Sequence, residues 1–291
     1  MSDFCPRIQA EWLFRGRSVS LHSWSCRGPH GTAGEEKRQR HFEIAVVLDG
    51  GFRYRGPRGI AIGDANTAIC FDAEEAYQTR HRDARGDAGL ALVLEPDALR
   101  ELVGADDRVG FRDLCIPVSP RAHLLTSLLR SRLVRRGGTA EEAVIEETLL
   151  HLVRVVWEGS RPGLRRGVRP VGPAPRERIE AVREIMASEY ARPLRLDELA
   201  ARVALSPQHL CRTFKAQTGV AVHRYLTRLR LRAALPCLLD PRSDLTSIAF
   251  DAGFSSHSHF TSAYRREFGI TPSGTRRLAG DPADARILTA S

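Results

Sequence analysis

No stretch of this 291-residue chain reaches about 18 consecutive apolar residues, so there is no candidate for a membrane-spanning helix. The opening MSDFCPRIQAEW lacks the basic-then-apolar order of a secretory signal, and the expectation is a cytoplasmic protein with no membrane partner. The six cysteines (Cys5, Cys26, Cys70, Cys115, Cys211, Cys237) include no C-x-x-C and no paired spacing. That excludes a zinc ribbon or a disulfide framework, and free thiols are expected. Gly50, Gly51 and Gly63-Asp64 lack the context of a phosphate-binding loop and read as turn residues. What is present is ordinary globular composition, 42% hydrophobic and 27% charged, in a chain long enough for two domains. Of its formal charge of +9, most lies from Arg176 onward, where 18 Lys/Arg face 12 Asp/Glu. A polyanionic partner for the C-terminal part is the implication.

Residues 8 to 95 read as short strands separated by Gly and Asp. Ile44–Leu48, the turn signal Asp49-Gly50-Gly51 and Phe52–Arg55 predict a hairpin. Further strands are expected at 68–71, 76–81 and 90–94, a spacing that suits a small β-barrel or jelly roll enclosing a pocket. Pro96 opens a short helix, PDALRELV. Two longer helices follow, over 121–136 with a stripe of Leu125, Leu128, Leu129 and Leu133, and over 140–158 with Ile145, Thr148, Leu149, Leu152 and Val156. Thr139 with Glu142 reads as the cap of the second. The hairpin packs on its own β domain, and surplus apolar surface would serve a homodimer. Residues 159–175, GSRPGLRRGVRPVGPAP, hold four prolines and four glycines and read as a semi-stiff linker.

The remainder is helical. A first helix carries Ile179, Val182, Ile185 and Met186 on one face. Two copies of one unit then follow. Leu199, Ala200, Val203 and Leu205 match Ile248, Ala249, Ala252 and Phe254 at an offset of 49. After the turn the offset is 50, with Ser206, His209, Leu210, Phe214, Lys215 and Gly219 matching Ser256, His259, Phe260, Tyr264, Arg265 and Gly269. Each unit reads as helix, turn, helix, with Asp197 expected to cap the first helix of the first copy and Ser206-Pro207 to open its second. Between the copies, 221–239 predicts a joining helix with Tyr225, Leu229, Leu235 and Leu238 inward. Arg224, Arg228, Arg230 and Arg232 are expected around the rest, with a break near Pro236.

LDELAARVALSPQHLCRTFKAQTG and IAFDAGFSSHSHFTSAYRREFGITP resemble the two helix-turn-helix signatures of AraC/XylS-family transcriptional regulators, a likeness strongest over 176–277. The N-terminal half resembles that family's cupin-like sensor domains only in outline. The resemblance implies an α+β protein. A cupin-like sensor or dimerisation domain over 1–158 would be joined by the 159–175 linker to an all-α DNA-binding domain with two tandem helix-turn-helix motifs over 176–280, leaving a tail at 281–291. It also implies a sequence-specific DNA-binding regulator, an activator, whose partners are double-stranded promoter DNA, RNA polymerase and a small effector.

By position in the two second helices, Gln208, Cys211 and Arg212 would face bases in the first copy, and His257, Ser258, Thr261 and Ser262 in the second. Lys215, Arg265 and Arg266 are better placed for phosphates, and Ser206 and Ser256 sit at the helix starts. Ser262 stands where the family often has arginine, so the first copy is expected to be the sharper reader. His209 and His259 are equivalent through shared structure, with no third metal ligand at suitable spacing. In the β domain His41, Glu43, Tyr77 and His81 are candidates for lining an effector pocket. His41-Phe42-Glu43 replaces the His-x-His pair of cupin metal sites, so no enzyme, metal or cofactor is expected. The alternative, a cupin-type metalloenzyme with an accessory nucleic-acid-binding module, would require stoichiometric metal.

Overall fold

The computed structural model describes residues 8–26, 36–81, 86–103, 110–136, 142–158 and 173–280. Strands β1 (Ile8–Arg15), β2 (Val19–Cys26), β3 (Lys37–Arg38), β4 (Phe42–Gly56), β5 (Gly59–Asp64), β6 (Thr67–Phe71), β7 (Ala76–Arg80) and β8 (Asp87–Leu94) are followed by helix α1 (Pro96–Val103) and strand β9 (Cys115–Pro117). The main path of the sheet runs β1-β2-β8-β4-β6-β9, and β5 and β7 pair with β4 off that path. Every pairing is antiparallel.

The hairpin expected at Asp49-Gly50-Gly51 is not formed. β4 is one 15-residue strand that pairs with β8 and β6 over its first part and with β5 and β7 over its second. Gly50, at φ +70°, lies just past a register shift between Val47 and Asp49. The glycines thus bend a continuous strand at a bulge instead of reversing it, and the reversal comes later, with Gly56 opposite Gly59. Bent in this way, β4 wraps the sheet around a cluster of Ala45, Val47, Phe52, Tyr54, Ala61, Ile69 and Phe71. Its opposite face, with Leu21, Ile44, Val46, Leu90 and Leu92, is covered by α2 (Pro120–Arg136) and α3 (Glu142–Glu158) through Leu125, Leu128, Leu129, Ile145, Leu149, Leu152 and Val156. The helix hairpin therefore packs on its own sheet, as its stripes require. The Thr139 cap lies outside the described residues.

The C-terminal part comprises α4 (Pro173–Glu189), α5 (Leu196–Ala201), α6 (Pro207–Thr218), α7 (Val222–Ala233), α8 (Leu235–Leu238), α9 (Leu245–Asp251), α10 (His257–Phe268) and α11 (Pro272–Gly280). α4 starts inside the stretch expected to be linker, whose remainder, 159–172, lies outside the described residues, as does the tail from 281. One core joins Ile179, Val182, Ile185 and Met186 of α4 to Leu210 and Phe214 of α6, and a second joins Ile248 and Ala249 of α9 to Phe260 and Tyr264 of α10. Helix α7 serves both, giving Tyr225, Leu226 and Leu229 to the first and Leu231 to the second. It ends at Ala233, and Pro236 falls in the first turn of α8, so the break occurs where proline demanded it. The architecture is α+β.

Arg232 does not lie on the outer face of α7. It is 1% exposed and donates from Nη1 to the Ala65 carbonyl (2.7 Å) and from Nη2 to the Val118 carbonyl (2.8 Å), both in the β half. Burial lowers its guanidinium to about 10, which leaves it charged at neutral pH. Arg230 is also half-buried and donates to the Tyr190 and Arg192 carbonyls, while Arg228 lies 2.9 Å from Glu267. Beside Arg232, Arg183 of α4 donates to Asp64 Oδ2 (3.2 Å), to the Ile62 carbonyl (2.9 Å) and to the Tyr225 hydroxyl (2.8 Å), and Tyr225 in turn donates to Asp64. Asn66 closes the seam by donating to the Tyr225 carbonyl. Nearer the edge, Arg53 pairs with Glu184 and the Tyr190 hydroxyl donates to Asp49.

Two outcomes test this description. Asp64→Ala strands the Arg183 guanidinium and should cost about 3–5 kcal/mol, whereas Asp64→Leu with Arg183→Met should recover most of the loss. Urea unfolding of the full chain reads both, and an unmoved midpoint in the single variant would contradict the seam. Gly50→Ala should cost about 2 kcal/mol, because the residue has positive φ and a Cβ would lie 2.2 Å from the Gly86 carbonyl oxygen. Thermal unfolding indistinguishable from wild type would count against the bend.

Candidate nucleic-acid interface

The two helix pairs α5–α6 and α9–α10 are built alike down to single hydrogen bonds. In each, the turn closes with a backbone donor five residues beyond its acceptor, Leu205 to Ala200 and Phe254 to Ala249, both at 3.0 Å. The left-handed turn position is Ala204 (φ 53°) in the first pair and Gly253 (φ 84°) in the second. Glycine is needed at the latter, where a Cβ would stand 2.7 Å from the Ala191 carbonyl oxygen. Ser206 and Ser256 then cap α6 and α10, accepting from the backbone N–H of His209 (3.3 Å) and His259 (3.2 Å). Both helices run 12 residues and end on a left-handed glycine, Gly219 and Gly269, whose N–H groups donate to Lys215 and Arg265. The two histidines occupy the same helical position, each giving its backbone N–H to the capping serine.

One face of each helix is fixed inward. Leu210 and Phe214 are buried in α6, and Phe260, Ala263 and Tyr264 in α10. Phe214 meets Tyr225 of α7 edge-on at 5.2 Å, and the Tyr264 hydroxyl donates to or accepts from Thr275 of α11 at 3.0 Å. With those faces committed, Ser206, Gln208, Cys211, Arg212 and Lys215 are exposed on the first unit and Ser256, His257, Ser258, Ser262, Arg265 and Arg266 on the second. Thr261 departs from this set, being half-buried with a buried hydroxyl.

Helix α5 begins differently from its expected form. Its N-cap is Arg195, which makes no side-chain cap bond, and Asp197 lies within the first turn, exposed and 3.2 Å from Arg195 Nε. That pairing and the backbone N–H of Glu198 hold the Asp197 carboxyl below its ordinary value. In the second copy the expected kind of cap does occur, with Asp244 accepting from Ser247 N–H at 2.8 Å. One cation was not singled out from the sequence. Arg277 of α11 lines, with Arg265 and Thr271, an open groove of about 560 Å³ at the end of α10. Only the tertiary placement of α11 brings it there, and no local signal in TRR separates it from other surface arginines.

The four effector candidates do not converge. His41 is exposed at the entry to β4, and Glu43 accepts from Gln39 Nε2 (2.9 Å) beside His22. Tyr77 packs against Phe71 and Tyr54, with ring centroids at 4.8 and 5.8 Å. His81 is buried 3.0 Å from Asp87. Since Glu43 pairs with Val93 while Asp87 opens the same strand β8, Glu43 and His81 belong to opposite ends of the sheet, about 20 Å apart at strand rise. No helix among the described residues is long and apolar enough to cross a membrane.

Comparison with known proteins bears on the same region. A family described as a helix-turn-helix domain matches residues 199–278. The HTH-type transcriptional activator RhaS of Yersinia pestis bv. Antiqua (strain Angola) is 31% identical over 134 residues, 46% of this chain and 46% of that protein. RhaS of Escherichia coli O139:H28 is 38% identical over 92 residues, 32% of this chain and 33% of that protein. The chain thus spans less than half the length of these relatives. Among solved structures, a transcriptional regulator from Chromobacterium violaceum of the AraC-type DNA-binding domain-containing proteins is 32% identical, covering 37% of this chain and 96% of that one with a TM-score of 0.35. ToxT from Vibrio cholerae O395 is 10% identical, covering 94% and 98%, with a TM-score of 0.33. On the repeated helix pairs, the family match that spans them and the activators that share their sequence, residues 199–278 belong to a helix-turn-helix domain family.

Proposed function

We propose that this protein is a sequence-specific DNA-binding activator of transcription, with 176–280 as a DNA-binding domain of two tandem helix-turn-helix motifs and 1–158 as a cupin-like domain that binds a small effector, dimerises, or both. The observation that carries the reading is the pair of identically capped helices, α6 and α10, each holding one apolar face in a core and leaving a polar face exposed. A capped helix of this length fits a major groove, and two of them joined through α7 would enter successive groove faces about one helical turn, roughly 34 Å, apart. Arg212 has the geometry to pair with guanine O6 and N7, and Gln208 with adenine, each worth about 1–3 kcal/mol of discrimination. Lys215, Arg265 and Arg266 supply charge for phosphates, which sets register and salt dependence but reads no sequence. Of the second helix's candidates, His257, Ser258 and Ser262 offer exposed polar groups, and the partly buried Thr261 is the weakest. Relatives named as transcriptional activators support the sign of regulation and with it a contact to RNA polymerase.

The role assignment is tested by binding site selection followed by salt titration. Arg212→Ala should relax preference at one base position and cost about 1–3 kcal/mol on the selected site. Lys215→Ala should weaken all sequences alike and lower the slope of log affinity against log salt by about one. Equal effects from both substitutions would defeat the assignment, and full-length protein that selects no sequence at all would defeat the function.

A further inference from the structure

Away from the helical half, three side chains of metal-ligating chemistry meet inside the sheet. Cys26 closes β2, Asp87 opens β8, and the two are direct cross-strand partners. His81 follows the last residue of β7 and brings its Nδ1 to 3.0 Å from Asp87 Oδ1. One donor atom from each of the three lies within 4.8 Å of the others, and the residues are only 5–6% exposed. We propose that Cys26, His81 and Asp87 form a binding site for a zinc ion.

The donor set selects the metal. A thiolate and an imidazole suit zinc and disfavour calcium or magnesium, which take oxygen ligands. Tetrahedral zinc, with Zn–S about 2.3 Å and Zn–N or Zn–O about 2.0–2.2 Å, needs donors roughly 3.3–3.7 Å apart, so rotamer adjustments of about an ångström suffice. The carboxylate is already oriented for the task. Trp24 Nε1 donates to Asp87 Oδ2 at 2.8 Å, leaving Oδ1 on the side of His81, and a hydrogen bond of this kind behind a ligand is what fixes metal-binding carboxylates. Three protein ligands leave a fourth position for water or a donor atom of a small molecule. The site differs from the His41, Glu43 and His81 grouping considered from the sequence, and only His81 is common to both. Three ligands on three strands leave no sequence motif, which is why spacing alone argued against a metal.

The test needs no DNA. Metal-free full-length protein titrated with cobalt(II) alone, as a spectroscopic stand-in for zinc, should bind one equivalent with a thiolate-to-cobalt charge-transfer band that zinc displaces. Cys26→Ser should abolish that band, His81→Gln and Asp87→Asn should each weaken zinc binding by about tenfold or more, and Cys237→Ser, at an exposed thiol far from the group in sequence, should leave the band unchanged. Far-ultraviolet circular dichroism checks that each variant is folded, and if Cys26→Ser is not, the two conservative ligand variants decide. No stoichiometric binding, a band that survives in folded Cys26→Ser or disappears in Cys237→Ser, or unchanged zinc affinity in both His81→Gln and Asp87→Asn would overturn the site.

Discussion

Asp64 is the anchor of the molecule. Its buried carboxylate takes the Arg183 guanidinium from α4 and the Tyr225 hydroxyl from α7, so one side chain from the sheet fixes two helices of the other half. Arg232, about two turns further along α7, repeats the device with backbone carbonyls from two separate loops of the sheet half. Taking such charges out of water is costly, and the attraction between them seldom returns more than the desolvation cost. What the seam supplies is direction, because a guanidinium with fixed acceptors tolerates one orientation of its helix where an apolar contact tolerates many.

That direction matters because α7 belongs to both helical cores. Tyr225 and Leu229 pack with α4 and α6, Leu231 packs with α9 and α10, and Arg228 reaches Glu267 on α10. A helix held by the sheet therefore sits between the two capped helices whose outer faces are polar. Any change in the sheet that repositions Asp64, Ala65 or Val118 reaches α7 directly. The seam offers a physical route by which a ligand of the sheet half could alter the relation of α6 to α10, with its energy limited by the differential affinity of that ligand for the two arrangements.

The helix pairs were legible in the sequence because their signals are local. Ser-Pro and Ser-His starts, glycine stops and apolar side chains at i, i+4 specify capped amphipathic helices wherever they occur, and α6 opens at the expected Ser206-Pro207. What failed depended on partners distant in sequence. Asp49-Gly50-Gly51 carries the chemistry of a hairpin turn, yet β8, β5 and β7 pair with β4 on both sides of it, so the strand continues through a bulge. Arg232 was assigned to solvent by its charge, although Tyr225, Leu229 and Arg232 at i, i+4, i+7 share one face, and acceptors on the sheet half decided the matter. Asp197 has the right chemistry for a cap but stands inside the first turn. The Cys26, His81 and Asp87 group needed three strands to be assembled before it existed at all.

The central claim, that α6 and α10 act together as two readers fixed by one helix, is tested most directly by hydroxyl-radical footprinting of the full-length protein on a selected DNA site. Two protected patches on one face of the duplex, centred about 10 base pairs apart, are the expected result. A single patch, or two whose separation drifts between bound sites, would contradict it.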